Sequence, residues 1–165
     1  MINIRKIEPR DYQQTSEMII SSIKESFKTL YSEKLIAGFC DKYSVDKLEN
    51  RIKDMDLFVA EEDEKRSIMG IIGIKDNQLR TFFVHPEHQG AGIGRLLFNK
   101  LEEFAKEHGL QKIILEGSPL GEPIYKHFGF EKIGTIEKER NGEKYTDALM
   151  EKEIPAKNND HPVFR

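Results

Sequence analysis

The sequence has 165 residues, enough for one domain with a substantial core, and it is 38% hydrophobic and 33% charged, as soluble globular proteins are. Its 26 basic residues are scattered among 29 acidic ones and the net charge is −3, which argues against nucleic acid as a partner. Cys40 is the only cysteine, which excludes an internal disulfide framework and a cysteine-based zinc site, so we expect an ordinary buried thiol.

Neither the N-terminus nor the rest of the chain is typical of export or of membrane anchoring. Residues 1–5 alternate as in a strand and carry an early charge, unlike a signal peptide. No run approaches the roughly 20 apolar residues of a membrane span. We therefore expect a cytoplasmic protein with no membrane partner.

The first third of the chain is predicted to form one strand and three helices. The strand begins at Ile2, and Pro9 with Asp11 opens the first helix, as Pro and acidic residues favour a helix start. Ser32 and Ser44 are candidate N-caps of helices over residues 34–40 and 45–54.

From Leu57 the hydrophobic pattern changes to the period of strands. Predicted strands cover residues 57–60, 67–74 and 79–84, with short polar turns between them. Three consecutive strands joined by short turns predict an antiparallel meander.

A glycine-rich turn follows the third of these strands and leads into a helix. The helix is predicted from Ile93 to His108, ended by Gly109. Its apolar face is predicted to consist of Ile93, Leu96, Leu97, Leu101, Phe104 and Ala105. A strand over residues 113–115 follows and, because a helix connects them, is predicted to run parallel to the strand over 79–84.

The remaining elements complete an α/β domain, strictly a mixed α+β one. A short helix is predicted from Pro119 to His127, and two strands, 130–136 and 145–152, join at Asn141-Gly142, a strong hairpin signal. We expect a single domain over residues 1–155 with one central sheet, and a C-terminal tail, 156–165, that is disordered or packs as an arm.

The turn Gln89-Gly90-Ala91-Gly92-Ile93-Gly94-Arg95 has the features of a phosphate-binding loop. Glycines let the backbone approach a ligand, and the free amides of a first helical turn point toward an anion. A dinucleotide fingerprint fits Gly90 and Gly92 but fails at Arg95, and the preceding meander does not suit a parallel sheet. No G-K-[ST] follows, so a P-loop also fails.

Two motifs in this sequence resemble the GNAT superfamily of acetyl-coenzyme A-dependent N-acetyltransferases. The first is the turn from Gln89 to Gly94, which matches Q/R-x-x-G-x-G/A, with Val84-His85-Pro86 before it. The second is Tyr125-Lys126-His127-Phe128-Gly129-Phe130, which resembles the family's Y-x-x-x-G-F. The resemblance implies a mostly antiparallel twisted sheet flanked by helices, splayed between the strands at 79–84 and 112–116.

The resemblance also implies roles for individual residues, with acetyl-coenzyme A as cosubstrate and no metal. The pyrophosphate of coenzyme A would be bound by the backbone of Gln89, Gly90, Ala91, Gly92, Ile93, Gly94 and Arg95. Phe83 and Val84 would pair with the pantetheine arm as if it were an added strand, and one of their N–H groups would stabilise the carbonyl oxygen. Tyr125 would be the general acid for the leaving thiolate.

This sequence departs from the family pattern at two positions before Tyr125. Ser118 stands where Asn is common and Gly121 where Ala is common, and Ser118 is still long enough to bond the cofactor. His85 and His88 resemble a metal pair, but no third ligand follows at a suitable spacing.

The acceptor and the general base are not specified by a motif. Glu61, Glu62 and Glu116 end predicted strands and are base candidates, and Tyr31 and Glu33 are candidates for the acceptor site. The acceptor would be a small cationic amine, or a lysine or N-terminal amine of a protein or peptide, with a homodimer left open. The alternative function is a non-catalytic acyl-coenzyme A sensor or regulatory module.

Overall fold

The computed structural model describes residues 1–156, which form seven strands and five α-helices. In chain order they are β1 (Ile2–Lys6), α1 (Tyr12–Phe27), α2 (Glu33–Asp41), α3 (Val45–Ile52), β2 (Asp56–Glu62), β3 (Ser67–Lys75), β4 (Gln78–Val84), α4 (Ile93–Glu107), β5 (Lys112–Gly117), α5 (Glu122–His127), β6 (Glu131–Arg140) and β7 (Glu143–Glu153). Short 3-10 turns at Pro9–Asp11 and Pro86–His88 precede α1 and α4. The predicted tail over 156–165 lies, from residue 157 on, outside the described residues.

The strands form one sheet in the order β1-β2-β3-β4-β5-β7-β6. All neighbours are antiparallel except β4 and β5, which are parallel. The predicted meander of β2, β3 and β4 and the parallel crossover through α4 are therefore confirmed. The β6–β7 hairpin turns at Asn141 and Gly142, whose φ values of 52° and 78° are those of the predicted tight turn.

Strands β4 and β5 are paired over a very short length. Only Gln78 with Ile114 and Leu79 with Leu115 are in register, although β4 continues to Val84. On its other side β4 has a bulge, since Gly73 pairs with Thr81 and Ile74 with Leu79, leaving Arg80 as the extra residue. A bulge bends its strand and increases the local twist. The expected splay between residues 79–84 and 112–116 is thus confirmed.

Helices cover both faces of the sheet. In β2, alternate residues face opposite sides, with Phe58 and Ala60 in the core beneath α4 and Leu57 and Val59 in the core beneath α1 and α3. This explains why the central strands are almost continuously apolar. The two cores meet the splayed end of β4, where Phe82 packs against one and Phe83 against the other.

Some predicted details of the helices were wrong. Leu96 is 40% exposed, whereas Phe98, absent from the predicted apolar face of α4, is fully buried. With about 100° of rotation per residue, Ile93 and Phe98 lie at the two edges of the buried side of the helix, and Leu97 lies between them. Leu96 lies outside that side. Helix α5 begins three residues after Pro119.

The two serines predicted as N-caps differ. The Ser32 Oγ accepts a hydrogen bond from the Leu35 amide at 3.1 Å, so that cap is confirmed. Ser44 occupies the N-cap position of α3 without a side-chain hydrogen bond to the helix.

Candidate functional site

The glycine turn presents the N-terminus of α4 beside the end of β4. Gly90 and Gly92 have φ values of 85° and 81°, a left-handed conformation that glycine adopts without strain. Gly92 is the N-cap, so the amides of Ile93, Gly94 and Arg95 form the first helical turn and have no partner within the helix. The turn is tied to β4 by the Gln89 Nε2, which donates to the Val84 carbonyl at 3.3 Å.

Successive residues of β4 direct their backbone groups to alternate sides, and this determines which N–H and C=O groups face the gap between β4 and β5. The His85 amide donates to the Met69 carbonyl of β3 at 2.7 Å. Because successive residues direct their N–H and C=O groups to opposite sides, those of Val84 face away from β3, toward the gap, and those of Phe83 face β3. Val84 is therefore the residue of this pair whose N–H is available on the open side, since its carbonyl already accepts from the Gln89 Nε2 and, at 3.4 Å, from the Ser22 Oγ.

A cavity of about 290 Å³, here called the loop cavity, lies between the glycine turn, β4 and α5. Seven of the predicted cofactor-binding residues line it, namely Phe83, Val84, Gln89, Gly90, Ile93, Gly94 and Ser118. Three others do not line this cavity. Ala91 and Gly92 are exposed in the turn, and the Arg95 guanidinium lies 4.6 Å from the centre of the Phe128 ring.

Tyr125 lies at the inner end of the loop cavity and is held by aromatic neighbours. Its ring centre is 6.1 Å from that of Phe82 and 6.0 Å from that of Phe130. Phe128 stacks on Phe98 of α4 at 4.6 Å, which anchors the turn that carries Tyr125. Burial, with smaller effects of the nearby Tyr43 and Asp147, raises the pKa of Tyr125, so its hydroxyl stays protonated at neutral pH.

Ser118 and Gly121, the two residues that differ from the family pattern, lie beside Tyr125. The Ser118 Oγ accepts from the Gly121 amide at 3.1 Å, which leaves its hydroxyl hydrogen free to donate. A Cβ added at Gly121 would lie 2.9 Å from Cε2 of Tyr125. Glycine at position 121 therefore lets the ring approach the backbone more closely than alanine would.

A second and larger cavity, about 520 Å³, opens on the other side of Tyr125 and is here called the aromatic cavity. Tyr31, Phe39 and Tyr145 pack edge to face along its wall, with ring centres 5.1 to 6.1 Å apart. The two cavities share the lining residues Ile23, Phe27, Phe82, Phe83, Ser118 and Tyr125. The two cavities therefore adjoin at the splay of β4 from β5, and Tyr125 lines both.

The aromatic cavity contains an ion-paired group of three side chains. Lys138 Nζ lies 2.6 Å from Glu116 Oε2 and 3.7 Å from Asp147 Oδ2. Asp147 is only 8% exposed, and its burial raises its pKa despite the opposing effect of Lys138. Burial, with Asp147 nearby, also raises the pKa of Tyr31 to about 12.

Of the three base candidates, only Glu116 lines the aromatic cavity. Glu61 is bound by Arg5 at 2.6 Å, in the pairing of β2 with β1, and Glu62 accepts from Ser67 in the β2–β3 turn. Of the two candidates for the acceptor site, Tyr31 lines the aromatic cavity, whereas Glu33 is exposed on α2 and does not.

Asp147, Lys42 and Arg80 also line the aromatic cavity, and none of them was predicted from the sequence. A signal for Asp147 existed, since Tyr145, Asp147 and Leu149 share one face of a strand and an acid on that inward face is unusual. Lys42 and Arg80 had no such signal. Lys42 follows α2, and Arg80 enters the cavity because of the β4 bulge.

The two histidines before the glycine turn are engaged locally. The His85 Nδ1 accepts from the Glu87 amide at 3.1 Å, and the His85 and His88 ring centres are 5.2 Å apart. Within residues 1–156 no group of three or more His, Cys, Asp or Glu side chains is arranged to hold a metal ion. In that same part of the chain, no helix has the length and apolarity needed to cross a membrane.

Comparison with curated proteins identifies N-acetyltransferases. The chain is 29% identical over 90 residues to human N-acetyltransferase 8, covering 47% of this chain and 39% of that protein, so it spans well under half of that relative. It is 25% identical over 134 residues to the uncharacterized N-acetyltransferase YuaI of Bacillus subtilis, covering 72% and 75% of the two chains.

Solved structures share the fold over almost the whole chain. A GCN5-related N-acetyltransferase from Rhodopseudomonas palustris superposes with a TM-score of 0.85 at 20% identity, covering 92% of this chain and 95% of that one. The PaiA N-acetyltransferase of Thermoplasma acidophilum, in complex with coenzyme A, has a TM-score of 0.79 at 26% identity, with coverage of 93% and 99%. A Vibrio cholerae spermidine N-acetyltransferase, in complex with coenzyme A and spermine, has a TM-score of 0.67 at 21% identity, with coverage of 93% of this chain and 95% of that one.

The family assignment comes from the sequence itself. The profile of the acetyltransferase (GNAT) domain matches residues 27–154, which include the glycine turn, the splayed strands and Tyr125. The chain therefore belongs to the GNAT acetyltransferase family.

Proposed function

We propose that this protein is an N-acetyltransferase that transfers the acetyl group of acetyl-coenzyme A to a primary amine by direct attack, within one domain over residues 1–155. The observation that carries the proposal is the pair of adjoining cavities that both have Tyr125 in their lining. A sensor that only binds an acyl-coenzyme A needs the loop cavity alone. The polar aromatic cavity beyond Tyr125 supports a second substrate and favours an enzyme.

The residues of the loop cavity fit a phosphorylated donor with a long arm. We assign the amides of the glycine turn and of the first turn of α4, residues 89–95, to the pyrophosphate. The edge of β4 beyond Leu79, which within residues 1–156 has no paired strand on the side of β5, would hydrogen-bond the pantetheine arm. Ser118 would donate its free hydroxyl hydrogen to the same arm. The donor supplies an acetyl thioester at the level of Tyr125.

The residues around the junction can perform each proton and charge transfer that the reaction needs. The Val84 N–H would donate to the carbonyl oxygen as it gains negative charge, and loss of one such donor lowers rates by roughly 10²–10³ in other enzymes. Tyr125, kept protonated by its raised pKa, would donate to the departing thiolate.

The acceptor amine must lose a proton before it attacks. Free primary amines have pKa values near about 10.4, so a basic group must take this proton at neutral pH. Asp147 is the best placed carboxylate, because it lines the aromatic cavity and its burial raises its pKa toward that of a useful base. We propose that Asp147 takes the proton directly or through one water molecule.

Thiol release tests this function. Acetyl-coenzyme A and a panel of primary amines are mixed with the protein, and free thiol is measured over time while calorimetry measures coenzyme A binding. We expect amine-dependent thiol release. Tyr125→Phe should bind coenzyme A with unchanged affinity and turn over about 10²–10⁴-fold more slowly. Tight coenzyme A binding without turnover on any amine would refute the enzyme and leave the sensor.

A further inference from the structure

Basic side chains gather at the end of the aromatic cavity that lies away from Tyr125. A neighbouring cavity of about 330 Å³ shares Lys42, Arg51 and Arg80 with the aromatic cavity, and it is also lined by Arg140. The chain as a whole has a net charge of −3, so this concentration of positive charge is local. These four residues are called the basic cluster below.

The basic cluster has no carboxylate partner within residues 1–156. The Arg51 Nε donates to the Lys42 carbonyl at 3.2 Å, the Arg140 Nη1 to the Gly38 carbonyl at 3.3 Å, and the Arg80 Nε to the Gln78 side chain at 3.0 Å. All three acceptors are neutral, so these bonds orient the guanidinium groups without balancing their charge.

The carboxylates nearby are already occupied. Asp54, which lines the neighbouring cavity, pairs with Lys75 at 2.9 Å, and Glu116 and Asp147 share Lys138. The positive charge of the basic cluster is therefore left for a ligand to balance.

The positive charges of the basic cluster crowd one another around Lys42. Burial, followed by Arg140, Arg51 and Lys138, lowers the pKa of Lys42 to about 8, and Asp147 opposes this only in part. The Arg51 guanidinium lies 5.0 Å from the centre of the Tyr43 ring, and the bulge fixes the direction of Arg80. An anion bound here would relieve the repulsion without reorganising the side chains.

We propose, on the basis of the acetyl transfer inferred above, that the acceptor is a small amine that also carries a carboxylate or a phosphate, which binds at Lys42, Arg51 and Arg80. The arginine fork matches both groups, since each presents oxygens for two parallel hydrogen bonds. With the anion there, the amine end of the acceptor extends toward Asp147 and Tyr125. A cavity of about 520 Å³ suits a small molecule rather than a folded partner.

The proposed acceptor differs in charge from the spermine present in the structure of the Vibrio cholerae neighbour. A polyamine carries positive charge along its whole length and would be repelled by the basic cluster. The small cationic amine expected as an acceptor from the sequence is thus opposed by the local charge of the basic cluster.

The test compares amines of similar length that differ at the far end. Thiol release is measured with γ-aminobutyrate, O-phosphoethanolamine, n-butylamine and putrescine, which end in a carboxylate, a phosphate, a methyl group and a second amine. We expect kcat/KM about 10- to 100-fold higher for the better of the two anionic amines than for n-butylamine, with putrescine lowest. Comparison of the first two shows whether the natural anion is a carboxylate or a phosphate.

Variants of Arg80 test whether the basic cluster causes this preference. Arg80 is exposed on the bulge, so Arg80→Gln should fold, and we expect it to lose most of the preference through a higher KM with little change in kcat. Arg80→Lys keeps the charge and should retain part of the preference. Lys65→Gln, in the exposed β2–β3 turn, makes the same charge change elsewhere and should leave the preference intact.

The results distinguish this inference from the function on which it rests. Turnover that favours putrescine, or a preference for anionic amines that survives Arg80→Gln unchanged, would overturn the anion site while leaving the acetyltransferase intact. Turnover on other amines of the panel but on none of these four would also overturn the anion site alone, whereas coenzyme A binding without turnover on any amine of the panel would overturn both.

Discussion

A Cβ added at Gly121 would meet Cε2 of Tyr125 at 2.9 Å, closer than side chains tolerate without a shift. We predict that Gly121→Ala displaces the Tyr125 ring and lowers kcat by about 10- to 100-fold, because a displacement near 1 Å can have that effect. Thermal unfolding and thiol release measure stability and rate.

A matched glycine controls for the added methyl group. Gly134 lies in β6, where the nearest atom to an added Cβ is 3.8 Å away, an ordinary contact. Gly134→Ala should therefore keep the wild-type kcat. Equal rates in the two variants would mean that the position of the Tyr125 ring does not limit turnover.

Gly92 and Gly109 are a matched pair at the two ends of α4. Both have left-handed φ values, 81° and 67°, and an added Cβ would meet no atom within 4 Å at either position. Alanine should cost about 1–2 kcal/mol of stability at each from backbone strain alone. Only Gly92→Ala should also weaken coenzyme A binding by calorimetry, because only that end presents free amides at the loop cavity. Similar losses of affinity in both variants would remove the glycine turn from donor binding.

The Arg5 side chain joins two buried carboxylates across β1, β2 and the turn before α1. It binds Asp11 at 2.7 and 2.9 Å and Glu61 at 2.6 Å. Arg5→Met should lower the free energy of unfolding by about 3–5 kcal/mol, because two buried carboxylates lose their closest cation and Glu61 keeps the more distant Arg10, at 3.7 Å. Lys6→Met, which breaks an exposed pair with Asp56, should change it by less than about 1 kcal/mol. Urea unfolding of both variants measures the difference.

The same ion pair predicts how stability depends on pH. Burial alone would raise the pKa of Asp11, but the hydrogen bonds from Arg5 and from the Glu8 amide, with the positive charges of Arg5 and Arg10, together outweigh it and lower the pKa below its usual 3.8. The stabilisation by Asp11 is therefore complete above that value and is lost as the pH falls below it. Without Arg5 the burial of Asp11 would raise its pKa, so Asp11 of Arg5→Met takes up a proton before that of the wild type as the pH falls. The difference in stability between the two proteins should be constant near neutral pH, begin to shrink above pH 3.8 and continue to shrink below it. A difference that persists in strong acid would show that the pairing contributes little.

Lys42 predicts a pH dependence of acceptor choice. Its pKa is lowered to about 8, so it is charged below that pH and increasingly neutral above it. The ratio of kcat/KM for γ-aminobutyrate to that for n-butylamine should fall as the pH rises through about 8, and the ratio cancels the ionisation common to both amines. Lys42→Arg, which stays charged, should hold the ratio nearly constant over that range. A ratio that falls identically in both proteins would assign the titration to another group.

Much of the fold could be predicted because local and tertiary preferences agree. The Asn141-Gly142 turn can adopt its positive φ values at little cost. The nearly continuous apolar sequence of the central strands suits a sheet whose side chains alternate between two cores. The glycine turn and the position of Tyr125 could be predicted for a similar reason, because glycines in a turn and a tyrosine at a fixed spacing from Gly-Phe can be recognised in the sequence alone.

The aromatic cavity could not be predicted in the same way. Arg80 lines it as the extra residue where the register of β3 against β4 shifts by one. A glycine within a strand, here Gly73, is compatible with a bulge but does not specify which residue of the partner strand is extra. Glu61, expected as a candidate base, is bound by Arg5, which precedes it by 56 residues. Such long-range pairings depend on tertiary structure, and the aromatic cavity is built almost entirely from them.

The short pairing of β4 with β5 makes one seam of the sheet weaker than the others. Only two register pairs join the β1–β4 half to the β5–β7 half. A donor whose arm lies along β4 would supply backbone-like hydrogen bonds at that seam and act as a missing strand. Folding and donor binding are then linked, and a hundredfold excess of donor over its Kd would add about 2.7 kcal/mol to the free energy of unfolding. The melting temperature of this protein would then report how much acetyl donor its surroundings contain.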